Sequence, residues 1–221
     1  MKRLVVAVAL GILALPVLAP APRTYAAGEA KAAPTTAPTM SASDLRNGMR
    51  KLWTDHTTYT HNYIVSALAT LPDLPAQTQR LLRNQDDIGA AIKPIYGDEA
   101  GKKLSALLRD HILVAADIVK AAKANDTKTV ETLQKKWRQN GNDMANLLAG
   151  ANPMWKQAAL ADMLQKHLDF VTAQVVARIK MDWAGDIKAY DAGYEHMMMF
   201  ADMLSDGIIK QNPKKMIMSS M

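Results

Sequence analysis

The sequence contains no cysteine. That excludes disulfides, thiolate chemistry, covalent c-type haem and lipid attachment through an N-terminal cysteine. Outside the cytoplasm such a chain must be stabilised by packing alone. The patterns of common catalytic sites are missing as well: there is no Walker A loop, no Gly-x-Gly-x-x-Gly, no Gly-x-Ser-x-Gly and no His-Glu-x-x-His. A nucleotide-dependent enzyme is disfavoured, and an enzyme of any kind is the weaker reading. No segment predicts a strand of useful length, and no internal repeat is present. The formal net charge is only +6 over 221 residues, and the basic side chains are interspersed among acids. A charge so small and scattered gives no argument for nucleic acid or an anionic membrane surface.

What is there begins with a secretory signature. Lys2 and Arg3 precede an apolar run from Leu4 to Ala19, and Thr24-Tyr25-Ala26 offers small residues at the cleavage-determining positions. Residues 1–26 are expected to be a removed signal peptide, which places the protein in the periplasm or outside the cell. The run is interrupted by Pro16 and is short for a span of about 20 residues, so stable membrane insertion after cleavage is not expected. Loss of Lys2, Arg3 and Arg23 leaves a net charge of about +3. Residues 27–42, rich in Ala, Pro and Thr, cannot bury a core and read as a flexible tether.

Helical periodicity fills residues 43–213. Ser43 is the expected cap of a first helix carrying Leu45, Met49, Leu52, His56, Tyr59 and Tyr63, ended by Pro72 and Pro75. A shorter helix is expected from about Ala76 to Lys93, stopped by Pro94 and Gly97. A third runs from Asp98 to Lys123 with the row Leu104, Leu108, His111, Ala115, Ile118, and a fourth from Thr127 to Leu148, with Gly150 as stop. Asn152-Pro153 predicts the start of a fifth helix, reaching Lys180 with Leu160, Met163, His167, Phe170 and Gln174 in one row. The sixth runs from Asp182 to Gln211 with Gly193, His196, Phe200 and Met203 in one row. The fold class is all-α: four to five long antiparallel helices with one short packed helix. A frayed, Met-rich tail is expected over 214–221.

Four of the five histidines fall on apolar stripes near the middle of four different helices. His56, His111, His167 and His196 would therefore lie at similar depth. Imidazole is a common metal ligand, and helical bundles often build metal sites from inward side chains. His61, five residues past His56, points to another face and reads as a surface residue. Asp55, Asp110 and Glu195 each precede one of the four histidines, about 100° around the helix. These, with Asp86 and Asp202, are the candidate carboxylates for orienting the imidazoles. No Glu-x-x-His occurs, which argues against a di-iron oxidase. An all-imidazole site suits Cu or Zn first, then Ni, Co or Fe, or a bis-histidine haem. The 14 methionines lean towards copper, although Met also fills irregular helical cores.

Four segments, LWTDH (52–56), NQDDIGAAIKPIY (84–96), HILVAADIVKAAK (111–123) and ADMLSDGIIKQNP (201–213), resemble a family of small secreted bacterial helical proteins. The resemblance covers most of residues 45–215 and implies a secreted helical bundle, without supplying a role. In that family pattern the positions of His56, His111, His167 and His196 are histidines and that of His61 is not. The chain departs from it at Asn212, where the pattern has Phe before the Pro. Some members carry transferase or kinase labels, which the missing nucleotide motifs do not support.

Three readings follow. In the first, the protein binds, buffers or delivers a transition metal through the four histidines. In the second, it is a structural or interaction protein of the cell envelope, with a protein partner, and the histidines are packing residues. An oxidoreductase using the same site is a third and weaker reading.

Overall fold

The computed structural model describes residues 41–214, which form six helices and no β-strand: α1 (Ala42–Ala69), α2 (Leu74–Tyr96), α3 (Asp98–Lys123), α4 (Thr127–Ala151), α5 (Gln157–Ile179) and α6 (Trp183–Gln211). The all-α expectation holds. The expected signal (1–26), nearly all of the tether and the tail past Lys214 lie outside the described residues.

Helix starts follow local hydrogen bonding. Ser41, Asp126 and Asp182 each accept the backbone N–H three residues on, at 2.9, 3.0 and 2.9 Å, and so cap α1, α4 and α6. Ser41 rather than Ser43 caps α1, which places Asp44 in the first turn beside the positive end of the helix dipole.

Two other boundaries differ from expectation. Helix α2 is 23 residues long, not short, because Pro75 sits in its first turn and Pro94 in its last. Pro94 removes the hydrogen bond to the Ala90 carbonyl, but Ala90 is exposed, so water can replace it. At the α4–α5 junction Asn152 ends α4 instead of starting α5, and Gly150 lies within the helix. The Asn152 N–H bonds the Leu148 carbonyl, and its side-chain oxygen accepts from Met154 N at 2.8 Å. The turn inserts Trp155 into the core before the helix resumes at Gln157.

Each helix packs on the next, α6 returns to α1, and α1 also touches α3 and α5. Helices α2 and α3 meet at Gly89 and Gly101, where a methyl group on either would stand 2.6 Å from the other's carbonyl oxygen.

The core divides into two clusters. The proximal cluster, near the start of α1, joins Met49 and Trp53 to Ile88, Leu104, Leu108, Leu164 and Phe200. The distal cluster joins Ile64, Val114, Ile118, Trp137, Leu168, Val171 and Val175. Early residues of α1, α3 and α5 share the proximal cluster with late residues of α2, α4 and α6, as an antiparallel arrangement requires. No helix among the described residues is long and apolar enough to cross a membrane.

Candidate functional site

The histidines occupy the level between the two clusters. His56 follows Trp53 and precedes Ile64 on α1; His111 lies between Leu108 and Val114 on α3; His167 lies between Leu164 and Leu168 on α5. With His196 on α6 they are 2%, 3%, 4% and 5% exposed, in that order. The apolar periodicity that buries each helix face thus carries one imidazole inward from each of the four helices.

Three of the four rings adjoin. His56 Nε2 and His167 Nε2 are 3.4 Å apart, and the two ring centroids are separated by 5.4 Å. His111 stacks against His167 with centroids 6.1 Å apart. His196 is turned away: its Nε2 donates to the Met163 carbonyl at 2.8 Å, and its ring lies against Phe170.

Amides rather than carboxylates surround this layer. Asn140 Nδ2 donates to the Leu107 carbonyl, so its Oδ1 faces His111 Nδ1 at 3.0 Å as an acceptor. That assigns the proton of His111 to Nδ1 and leaves a lone pair on Nε2. Asn84 and Gln85 are fully buried beside His56. Both favour its protonated form, yet neither makes a well-formed hydrogen bond to it, and His56 Nδ1 and Gln85 Oε1 are both buried without a partner. A small cavity of about 10 Å³ adjoins His167 and is walled in part by Thr60 and Gln174, whose Oγ1 and Oε1 are likewise unpartnered.

Burial keeps His56, His111 and His167 neutral. It pushes His56 down to about 4. It lowers His111 to about 3, with a further contribution from neighbouring His56. His167 is held well below the ordinary histidine range, first by burial and then by the nearby His56, His111 and His196. Neutral imidazoles present lone pairs at ordinary pH, which a metal ligand requires.

The carboxylates expected to orient the site do not reach it. Asp55 pairs with Lys51 and Arg80, Asp86 with Arg109 and Asp202 with Arg50. Asp110 and Glu195 are exposed. A side chain one position from an inward histidine points outward along the bundle, where a basic partner or water meets it. His61 is not a free surface residue either. Its Nε2 lies 3.1 Å from both oxygens of Asp186, which is only 2% exposed and also bonds Arg178 at 3.2 Å. A buried carboxylate needs such donors.

Asn84, Gln85 and Asn140 escaped the sequence reading, although their signal was the one that exposed the histidines. Asn84 and Gln85 share an apolar row with Leu81, Ile88 and Ile92, and Asn140 lies between Trp137 and Met144. Among the described residues, no three His, Asp or Glu side chains form a finished metal-holding group. Two imidazole nitrogens stand together, those of His56 and His167, and the His111 ring is stacked on His167. No family model, curated protein or solved structure matches this chain.

Proposed function

We propose that the protein binds a transition metal between the Nε2 atoms of His56 and His167, with His111 as third ligand, in an extracytoplasmic compartment. The observation that carries this reading is the 3.4 Å separation of those two nitrogens. Two imidazoles bound tetrahedrally at about 2.0–2.1 Å from one ion hold their nitrogens about 3.4 Å apart. The Asn140 contact leaves the His111 Nε2 lone pair free, as ligation needs. With no carboxylate at the site, a bound ion keeps its full charge in an apolar core. The desolvation cost rises steeply with charge, so Cu(I) is favoured and Zn(II) follows. The role is binding, buffering or delivery rather than catalysis.

The test is metal content of untagged protein by mass spectrometry, before and after incubation with Cu(I) or Zn(II), together with the thermal midpoint. Near-stoichiometric metal is expected, with stabilisation of about 2.7 kcal/mol at a hundredfold excess over Kd. His56→Ala and His167→Ala should abolish binding and His111→Ala should weaken it, whereas His61→Ala and His196→Ala should retain it. A metal-free protein indifferent to both ions would sink the proposal.

A second reading rests on the bonds that His111 and His196 already make to Asn140 and Met163. On it, the layer is a hydrogen-bonded polar seam that fixes helix register, and the protein is a structural or interaction component. Stability without metal and unchanged by it is the outcome that reading requires.

A further inference from the structure

We propose that the distal half of the bundle binds a single-chain anionic amphiphile, with its hydrocarbon tail in an apolar cavity and its headgroup in a cation-lined hollow at the α5–α6 turn. The site is independent of the metal reading, because none of the buried histidines lines either space.

The cavity measures about 80 Å³ and is walled by side chains that include Ile64, Ile118, Val119, Trp137 and Val175. Apolar cavities of about 150 Å³ stay dry and accept benzene. The smaller space here suits the last few carbons of an alkyl chain rather than a ring. One wall is Ile179, which also lines a second and wider hollow of about 330 Å³. That hollow is walled by Lys123, Arg178, Met181 and Trp183 and by no acidic side chain. A chain that passes Ile179 therefore joins an apolar interior to a cationic rim. Two of the three ammonium protons of Lys123 serve the Ala67 carbonyl and Thr70, which leaves one for a ligand. Arg178 bonds Asp186 through Nη1 alone and has further donors.

Beside its two cations the hollow presents apolar side chains to solvent. Ile179, Met181 and Trp183, which line it, are all exposed, Met181 by 70% and Trp183 by 53%. Clustered exposure of this kind marks contact with something apolar. Met181 also holds a left-handed backbone, φ 58°, where glycine or asparagine would be less strained.

The experiment titrates the full chain with decanoate below its micelle concentration and reads tryptophan emission, since Trp137 and Trp183 line the two spaces. Saturable one-to-one binding is expected, about tenfold or more tighter than that of decyltrimethylammonium, which carries the same chain and the opposite charge. Ala115→Leu, which fills the cavity, should weaken decanoate by about tenfold or more. Ile179→Asp should do the same at a position exposed enough to leave folding intact, so the test survives if the first variant unfolds. Circular dichroism checks the fold of both. No saturation by the wild type, equal binding of the cationic amphiphile, or unchanged binding by folded variants would each overturn the proposal.

Discussion

The two halves of this bundle follow the same helical periodicity and pack differently. The proximal half encloses Trp53, Trp155 and Phe200 around a void of only about 10 Å³. The distal half leaves about 80 Å³ open. Side-chain reach accounts for the difference. The proximal rows are filled mainly by Leu, Met, Trp and Phe, the distal rows mainly by Val and Ile. Short β-branched side chains satisfy a hydrophobic pattern without meeting across the bundle centre. A binary pattern thus fixes which face is buried, while the reach of the side chains decides whether the buried space is full. The turns differ in parallel. The proximal α2–α3 turn uses Gly97 at φ 85°, whereas the distal turns put Thr70, Asn125 and Met181 in left-handed conformations at 56°, 57° and 58°.

A matched truncation breaks or sharpens that comparison most directly. Ile88, 1% exposed, faces the proximal core, and Ile118, 7% exposed, walls the distal cavity. Ile88→Ala should cost about 4 kcal/mol and Ile118→Ala about 2 kcal/mol, because an atom beside a void has already lost part of its dispersion contacts. Urea unfolding at neutral pH measures both. Equal losses would mean that the cavity has no energetic consequence.

Between the halves lies the imidazole layer, and its test is acid. Folded values for His56 and His111 fall to about 4 and about 3, below the unfolded value near 6.5, and His167 is lowered as well. Below about pH 6.5 the unfolded chain takes up protons that the folded core refuses. Stability should therefore be fully present above about pH 6.5 and fall as pH drops towards the folded values, by about 1.4 kcal/mol per pH unit for each imidazole that stays neutral. His167→Leu should reduce that slope by one group. An unchanged slope between pH 6.5 and 5 would show that the layer protonates without unfolding. Bound metal should steepen the acid loss, because protons and metal compete for the same lone pairs.

The fold was legible because helical periodicity, capping residues and proline are local signals. Helices α4 and α6 start within a residue of where they were expected, capped by Asp126 and Asp182, and α3 has the expected ends. Asn152 misled because a capping residue and a turn-forming residue share the same side chain, and only the burial of Trp155 decides between them. At the site, the inward placement of all four histidines could be read from rows of residues. Which nitrogen faces which could not, since rotation of His196 towards Met163 depends on a carbonyl 33 residues away in the chain. The distal cavity was illegible for a related reason: Val and Ile match the apolar pattern as well as Leu does, and the shortfall appears only when five helices contribute to one space.

The smallest expected effect tests the turns. A left-handed backbone costs an ordinary residue about 1–2 kcal/mol, and glycine avoids it at an entropic cost of about 0.5–1 kcal/mol in the unfolded chain. Met181→Gly should therefore stabilise the protein by about 1 kcal/mol or less. Asn125→Gly should do less, because asparagine already tolerates the conformation. Thr70→Gly gains from relieving a β-branched residue but loses the hydroxyl that accepts from Lys123 at 2.6 Å. Met181 then separates two explanations of the distal half. If its exposed thioether only records loose packing, Met181→Gly raises the thermal midpoint and leaves decanoate binding unchanged. If that side chain forms part of the amphiphile rim, the same variant is more stable and binds decanoate less well. Strain retained at the cost of stability would mark the distal turn as built for a ligand rather than merely underpacked.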